Sequence, residues 1–461
     1  MNTCDTVIIG SGPGGYVAAI RASQLGQSVS LIEKNVIGGT CLNVGCVPSK
    51  ALLQAGHTYQ EILHAEKFGI TASGTLDFEK TQVWKNTQVV QKLRAGVTQL
   101  LKKNKVNIVF GEAKFTSKSS LSVTFEGKTE DYSFKNAILA LGSRPIEIKA
   151  APYGKRIVDS TGLLNTSFLP KTLSVIGAGY IGSELAEAFA AFGTKVTLIE
   201  ATPGILPGFN TKLSDLVKRN LTKLGVTILT DALVLSSKED NDKVTLTYKK
   251  ADQEQTLESE LVLVSVGRRP NTDLVNINVS GVELDPKGFV KVNKKSQSSN
   301  PNIYAIGDIT AGLALAHKAS YEAKIVAEVI SGHPSIIDYK AMPAVCYTTP
   351  EIATTGKSLE EALALGLKAV ATDFPLAANS RAIAASKTEG FVRIISDEKT
   401  KLILGAQIAG VSASEIISVV TLAIETGLTL EDIALTIFPH PSVSEAIMDN
   451  TEAGLGYPIH I

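Results

Sequence analysis

Cys41 and Cys46 lie five residues apart within Gly38-Gly39-Thr40-Cys41-Leu42-Asn43-Val44-Gly45-Cys46-Val47-Pro48-Ser49-Lys50, the stretch whose residue types bear most directly on chemistry. Two thiols so close in sequence can cycle between dithiol and disulfide, share a metal, or sit as inert buried thiols. On a regular α-helix, residues five apart have Cα atoms about 8.7 Å from each other, beyond the roughly 7 Å limit for a disulfide. A bridge therefore needs a distorted segment, and Gly45 and Pro48 supply the means. A thiolate at a helix start would be stabilised by the helix dipole, which lowers its pKa. Support for a metal is poor, because there is no second cysteine pair and only His57 and His64 of the six histidines are near. Two free buried thiols are the commoner fate of such cysteines, and only the surroundings of the pair weigh against that reading.

His440 is the next candidate. It stands between Pro439 and Pro441, where a histidine is ordinarily a loop residue, but Glu445 follows five residues on. That carboxylate can orient the imidazole and keep one tautomer, the arrangement of a base and its orienting group.

The elements that must position these groups are announced by an internal repeat. Val7-Ile8-Ile9-Gly10-Ser11-Gly12-Pro13-Gly14-Gly15 recurs 167 positions later as Ser174-Val175-Ile176-Gly177-Ala178-Gly179-Tyr180-Ile181-Gly182. The register continues from Gly26 to Gly193 and from Leu31-Ile32-Glu33 to Leu198-Ile199-Glu200. Each copy reads as a short apolar strand, a Gly-x-Gly-x-x-Gly turn, an Ala-rich helix and a second strand ending in Glu. Gly10 and Gly177 make the tight turn, Gly12 and Gly179 admit a pyrophosphate to the backbone, and Gly15 and Gly182 let helix and strand pack closely. The helix N-terminus then faces the phosphates. Glu33 and Glu200 each follow the third glycine by 18 residues, where a carboxylate accepts from an adenosine ribose diol. One such glycine run is weak evidence, but two in the same strand, turn, helix, strand and Glu context predict two dinucleotide sites. After Glu200 come Ala201-Thr202-Pro203-Gly204, with no cation to meet a 2′-phosphate, so the second site is expected to prefer NAD(H).

Elsewhere, the spacing of Val83, Trp84, Val90, Leu93, Val97, Leu100 and Leu101 predicts a helix within 77–105. Strands are expected over 106–110, 121–125, 137–141 and 261–266, with a linker at Gly267-Arg268-Arg269-Pro270-Asn271. From about Met342 the pattern changes to strands near 391–395 and 402–409 and helices near 414–426 and 429–434, a further domain. A chain of 461 residues suits about three domains. With 45 basic against 45 acidic residues it lacks the basic excess that nucleic-acid binding requires, so no nucleic-acid partner is expected. No apolar run reaches the roughly 18 residues of a membrane span, and the amino terminus shows no basic leader, so a cytoplasmic protein is expected. Cys4 and Cys346 are taken as bystanders.

Together these motifs resemble the pyridine nucleotide–disulfide oxidoreductase family. The resemblance covers essentially the whole chain, through both glycine turns, Gly39 to Lys50, Gly267 to Asn271, Ile303-Tyr304-Ala305-Ile306-Gly307-Asp308, and His440-Pro441-Ser442-Val443-Ser444-Glu445. It implies an α/β architecture of two Rossmann-like dinucleotide-binding domains, one for FAD and one for NAD, plus a C-terminal α+β dimerisation domain. The implied division is 1–148 for FAD and a redox-active Cys41–Cys46 disulfide, 149–270 for NAD, 271–341 completing the FAD domain, and 342–461 for dimerisation. The resemblance places FAD at Gly10, Gly12, Gly15, Glu33, Lys50, Ala113, Asp308 and Ala316. Lys50 is implied near the flavin N5, paired with Glu184, Ala113 at the adenine, and Asp308 at the ribityl chain. NAD is placed at Gly177, Gly179, Tyr180, Gly182, Glu184, Glu200 and Gly267, with Tyr180 closing over the nicotinamide. The family's His–Glu pair, here His440 and Glu445, is contributed across a homodimer interface. No metal is implied.

The implied reaction is oxidation of a dithiol with reduction of NAD+. The substrate is a dihydrolipoyl group on the lipoyl domains of 2-oxoacid dehydrogenase acyltransferase components. His440 takes a substrate proton, Cys41 exchanges with the substrate, and Cys46 lies nearer the flavin. Two departures stand out: Leu141 replaces a frequent threonine, and Phe438 replaces a histidine common near His440. The alternatives are a glutathione or mercuric reductase, an NADH oxidase or transhydrogenase, and a flavin-bearing redox sensor. Glutathione reductase uses NADPH, against Glu200, and the chain lacks a C-terminal cysteine pair of the mercuric kind.

Overall fold

Strand β1 (Asn2–Ile9), helix α1 (Pro13–Gln24) and strand β2 (Val29–Glu33) realise the first copy of the repeat. The two strands run parallel, with Ile8 opposite Leu31 and Ile9 opposite Ile32. Val7, Ile8, Leu31 and Ile32 are almost wholly buried, as expected of apolar runs in a parallel sheet covered on both faces. The computed structural model describes residues 2–461. Its internal contacts divide the chain into two units: Met1–Ile148 with Val158–Leu169 and Val264–Asp338, and Lys149–Ile157 with Pro170–Leu263 and Tyr339–Ile461.

In the first unit, β2 is followed by α2 (Gly39–Val44) and α3 (Cys46–Leu63), which carry the cysteine pair. The expected helix within 77–105 forms as Phe78–Trp84, a π-helical stretch Lys85–Gln91, and Lys92–Lys103, with the Asp77 carboxylate accepting from the Lys80 N–H as its cap. Strands β3 (Asn107–Phe110), β4 (Glu112–Phe115), β5 (Ser120–Phe125) and β6 (Lys128–Leu139) complete a seven-stranded sheet in the order β3-β2-β1-β6-β5-β4, with Ile303–Ala305 pairing parallel to β6. Late residues of the chain thus return to the first sheet. One face is closed by α1 and the helix Ala316–Ile330, where Ala18, Ala19 and Ala22 belong to one cluster with Ala323, Val326 and Ala327. Small side chains are what let two helices approach, which accounts for the alanine-rich composition of α1.

In the second unit, Thr172–Ile176, Tyr180–Ala191 and Lys195–Ile199 repeat the strand, helix, strand sequence. Val175 pairs with Leu198 and Ile176 with Ile199, the counterparts of the first-unit pairs. An antiparallel sheet of Ala232–Glu239, Val244–Lys250 and Gln253–Ser259 was not foreseen from the sequence. Its last strand is largely exposed and polar, without an apolar alternation to announce it. From Ala344 onward a five-stranded antiparallel sheet is covered by the helix Ala413–Thr426. The core here joins Phe374, Val392, Ile394 and Ile408 to Ile417, Val420 and Ile447.

Candidate functional site

In the first unit the glycine turn joins β1 directly to α1. An added Cβ at Gly15 would stand 1.8 Å from the Gly10 carbonyl oxygen, so only glycine lets the helix sit so close to the strand end. Gly12 is the N-cap residue of α1, and no side chain caps the helix or places an acid in its first turn. Its leading N–H groups are therefore available to an anion. Glu33, 8% exposed, is fixed beside them. Its Oε2 accepts from the Ser11 N–H at 3.0 Å and the Ser11 hydroxyl at 2.6 Å, and its Oε1 accepts from the Asn35 N–H at 2.9 Å. Lone pairs remain on a carboxylate so held, which is what a ribose diol requires.

Asp308 lies in the turn Gly307–Ile309 after the returning strand. Its Oδ2 accepts from the Ser143 hydroxyl at 2.6 Å, and Ser143 in turn receives Arg268 Nε on its hydroxyl oxygen at 2.8 Å and an Arg268 NH2 on its carbonyl at 2.6 Å. Beneath the turn, Lys318 and Glu322 form a buried ion pair at 3.1 Å. Glu322 accepts from the Gly307 N–H at 2.7 Å, and Lys318 donates to the Gly307 carbonyl and to Thr310. Buried charges paired in this way hold a unique geometry, and here that geometry presents Asp308. Ser143, Arg268, Lys318 and Glu322 were not singled out as site residues from sequence. Ser143 and Asp308 are 165 residues apart, a distance no local pattern bridges. Ala316 is the first residue of its helix, and Ala113 is buried in a cluster with Ile9 and Ile32. Leu141, at the first departure, packs against that same cluster.

The cysteine pair lies at the junction of α2 and α3. Gly45 joins them with φ −142° and ψ −116°, and an added Cβ would come 2.9 Å from the Thr40 carbonyl oxygen and 3.2 Å from the Cys41 Cα. The helix is interrupted where the spacing required it. Cys46 is the first residue of an 18-residue helix, and Lys50 follows one turn later. Cys41 is partly buried and Cys46 exposed. The hydrogen bond with Cys46, then burial, push the Cys41 thiol well above its usual value, against a smaller opposing pull from the Lys50 ammonium. Cys46 stands at the N-terminal, positive end of α3. The Tyr16 phenol on α1 is pushed up mainly by burial, with a smaller contribution from the electrostatics of Cys41. Asn43 ties α2 down by donating to the Ile37 and Gly39 carbonyls at 3.0 and 2.9 Å while accepting from Arg94 Nε at 2.9 Å.

The second copy repeats the first down to its hydrogen bonds. Gly179 is the uncapped N-cap of its helix, Tyr180 is the first helical residue and Gly182 is buried one turn in. Glu200 accepts from the Ala178 N–H at 2.8 Å and the Thr202 N–H at 2.9 Å, as Glu33 does from Ser11 and Asn35. Glu184, 2% exposed, accepts from the Tyr347 N–H at 3.0 Å, and Glu187 from the Thr349 N–H at 2.8 Å. Gly267, with φ +132°, falls in the first unit, where its carbonyl accepts from the Ile146 N–H at 3.0 Å.

His440 Nδ1 lies 2.9 Å from Glu445 Oε1, while Glu445 Oε2 accepts from the Ser442 N–H at 2.7 Å. The histidine side chain is 73% exposed and that of Glu445 14%. A buried Asn379 holds the Ser442 carbonyl at 3.0 Å, fixing the loop. Phe438, the second departure, packs against the core of this unit.

Among the described residues no helix is long and apolar enough to cross a membrane, and no group of three His, Cys, Asp or Glu could hold a metal ion. Residues 4–323 match the family described as pyridine nucleotide-disulphide oxidoreductase, and residues 342–451 match that family's dimerisation domain. A dihydrolipoyl dehydrogenase of Staphylococcus aureus is 52% identical over 457 residues, covering 99% of this chain and 97% of that protein. One from Bacillus subtilis is 50% identical over 459 residues with the same coverage. Among solved structures, LpdA from Mycobacterium tuberculosis superposes with a TM-score of 0.91 at 25% identity, covering 98% of this chain and 99% of that one. The HOCl-induced flavoprotein disulfide reductase RclA from Escherichia coli, in a Cu(II) complex, gives 0.88 at 29% identity, covering 98% and 100%.

Proposed function

The chain belongs to the pyridine nucleotide-disulphide oxidoreductase family, and from that premise we infer that it catalyses the dihydrolipoyl dehydrogenase reaction, oxidising a dihydrolipoyl group to lipoyl with reduction of NAD+ to NADH. The observation that carries this reading is the dithiol: Cys46 opens α3, and the Cys41 thiol is hydrogen-bonded to it, in the unit of the first glycine turn. The lipoyl group is carried on lipoyl domains of 2-oxoacid dehydrogenase acyltransferase components, and the enzyme works in the cytoplasm as a homodimer. Leu435 and Ile437, 84% and 95% exposed just before His440, lie in the part that matches the dimerisation domain and are apolar surface that a second copy would cover.

The residues present suit both dinucleotides, since each uncapped glycine turn stands beside a buried, hydrogen-bonded glutamate. FAD is held by Gly10, Gly12, Gly15 and Glu33, with Lys50, Ala113, Asp308 and Ala316. NAD is held by Gly177, Gly179, Tyr180, Gly182, Glu184 and Glu200, with Gly267. FAD held by these residues would supply the two-electron chemistry that links the dithiol to NAD+.

The protein's own residues carry the exchange steps. With its Nδ1–H donated to Glu445, neutral His440 presents Nε2 as the base and takes a proton from one substrate thiol. The resulting thiolate attacks Cys41 Sγ in the Cys41–Cys46 disulfide, and Cys46 departs as a thiolate. The second substrate thiol attacks the mixed disulfide at the substrate-borne sulfur, its proton passing to the departing Cys41 sulfur, and Cys41 is released as a thiol. The substrate leaves as a disulfide and the cysteines in their reduced form. The test is a steady-state assay of NADH formation from dihydrolipoamide and NAD+, alongside glutathione disulfide with NADPH. Turnover confined to the first pair is expected, and turnover only with the second would overturn the reading.

A further inference from the structure

The two copies differ in one respect that bears on what the second accepts. In the first, the extra donor on the glutamate is a hydroxyl from the glycine turn, Ser11, which binds Glu33 Oε2. In the second, the residue in register with Ser11 is Ala178, which has no hydroxyl. The hydroxyl comes instead from the loop after the strand: Thr202 Oγ1 donates to Glu200 Oε1 at 2.9 Å, beside the Thr202 N–H on the same oxygen. Glu200 Oε1 therefore carries two donors, whereas Oε2 carries only the Ala178 N–H. In the first copy this is reversed.

We propose that Thr202 is the positioning residue that sets nucleotide choice in the second copy, orienting Glu200 so that Oε2 is offered to a ribose diol and a 2′-phosphate is refused. The inference rests on the NAD-binding reading of this copy. Thr202 Oγ1 also lies 3.0 Å from the Gly204 carbonyl, and its single proton can serve only one acceptor fully at a time. On Glu200 Oε1 that proton joins the Thr202 N–H, so Oε2, which carries only the Ala178 N–H, is the oxygen left to accept from a ribose hydroxyl. A 2′-phosphate brings no proton for that oxygen and adds negative charge beside the carboxylate, so it gains no bond and meets repulsion. Losing Thr202 removes the lock without adding a cation, so it weakens the diol's advantage more than it helps the phosphate.

Calorimetric titration of the full-length enzyme with NADH and with NADPH tests this without reference to turnover. Thr202→Ala is expected to lose about tenfold in NADH affinity, the size of one hydrogen bond to a charged group, with NADPH affinity little changed, so that the preference narrows about tenfold. Thr202→Ser, which restores the hydroxyl, is expected to recover the wild-type ratio, and Thr202→Val, which keeps the shape, is not. An unchanged NADH to NADPH ratio in Thr202→Ala, or a parallel loss of both that serine does not rescue, would overturn the role of Thr202. Wild-type protein that binds neither nucleotide, or prefers NADPH, would overturn the reading of the copy itself and Thr202 with it.

Discussion

Glu445 holds His440 by one carboxylate oxygen, at 2.9 Å from Nδ1, and its own loop by the other, at 2.7 Å from the Ser442 N–H. One residue thus holds both the imidazole that acts as base in the proposed reaction and the backbone that carries it. His440→Gln is expected to lower kcat for dihydrolipoamide oxidation by about 10²–10⁴-fold, the usual worth of a positioned general base. Glu445→Gln can still accept from Nδ1 and should cost less, about tenfold. Calorimetric NADH affinity should be unchanged in both. Equal losses in the two variants would show that Glu445 does more than orient.

The two cysteines are not interchangeable. Cys41→Ser leaves Cys46 at the start of α3, where a thiolate is stabilised, so the variant should retain the long-wavelength absorbance of a thiolate beside oxidised flavin. Cys46→Ser leaves only a thiol whose proton burial helps to hold, and that absorbance should be lost. Spectra of the two purified flavoproteins decide the assignment.

Much of this arrangement was legible in the sequence, and the reason is physical. Glycine turns, apolar strands and the terminal glutamates are local patterns, and the register from Glu33 to Glu200 reappears as matching bonds to Ser11 and Ala178. What escaped depends on partners far apart along the chain. Lys318 and Glu322 lie four residues apart on their helix, and only the fold shows that they are buried under the turn that carries Asp308. The π-helical stretch was likewise invisible, because seven residues of shifted period barely perturb a 3.6-residue pattern.

Lys85 opens that stretch, almost fully buried, donating to the Leu164 carbonyl. Burial lowers its pKa to about 8. The unfolded chain, where lysine titrates near 10.4, binds the proton more tightly, so folding is penalised in full below about pH 8 and progressively less as pH rises. The penalty is about 3 kcal/mol, and the hydrogen bond recovers about 1 kcal/mol of it. Lys85→Met should therefore raise stability by about 1–2 kcal/mol near pH 7, with the gain fading near pH 10. Urea midpoints at the two pH values check both the sign and the trend.

Gly15 offers a steric test. Alanine there must displace α1 from the Gly10 carbonyl, 1.8 Å from the new Cβ. Gly15→Ala should lose about 1–3 kcal/mol or more of stability and most of its bound flavin, read by thermal unfolding and by the ratio of flavin to protein absorbance. Retention of flavin at wild-type stability would mean that the turn has slack not visible here.

In the proposed reaction, substrate electrons enter through Cys41 and Cys46. The most direct measurement treats the oxidised enzyme anaerobically with one equivalent of dihydrolipoamide, without NAD+, then alkylates it under denaturing conditions and maps the labels by mass spectrometry. New label is expected on Cys41 and Cys46, with Cys4 and Cys346 labelled equally before and after. Oxidised lipoamide formed without new label at either Cys41 or Cys46 would contradict it.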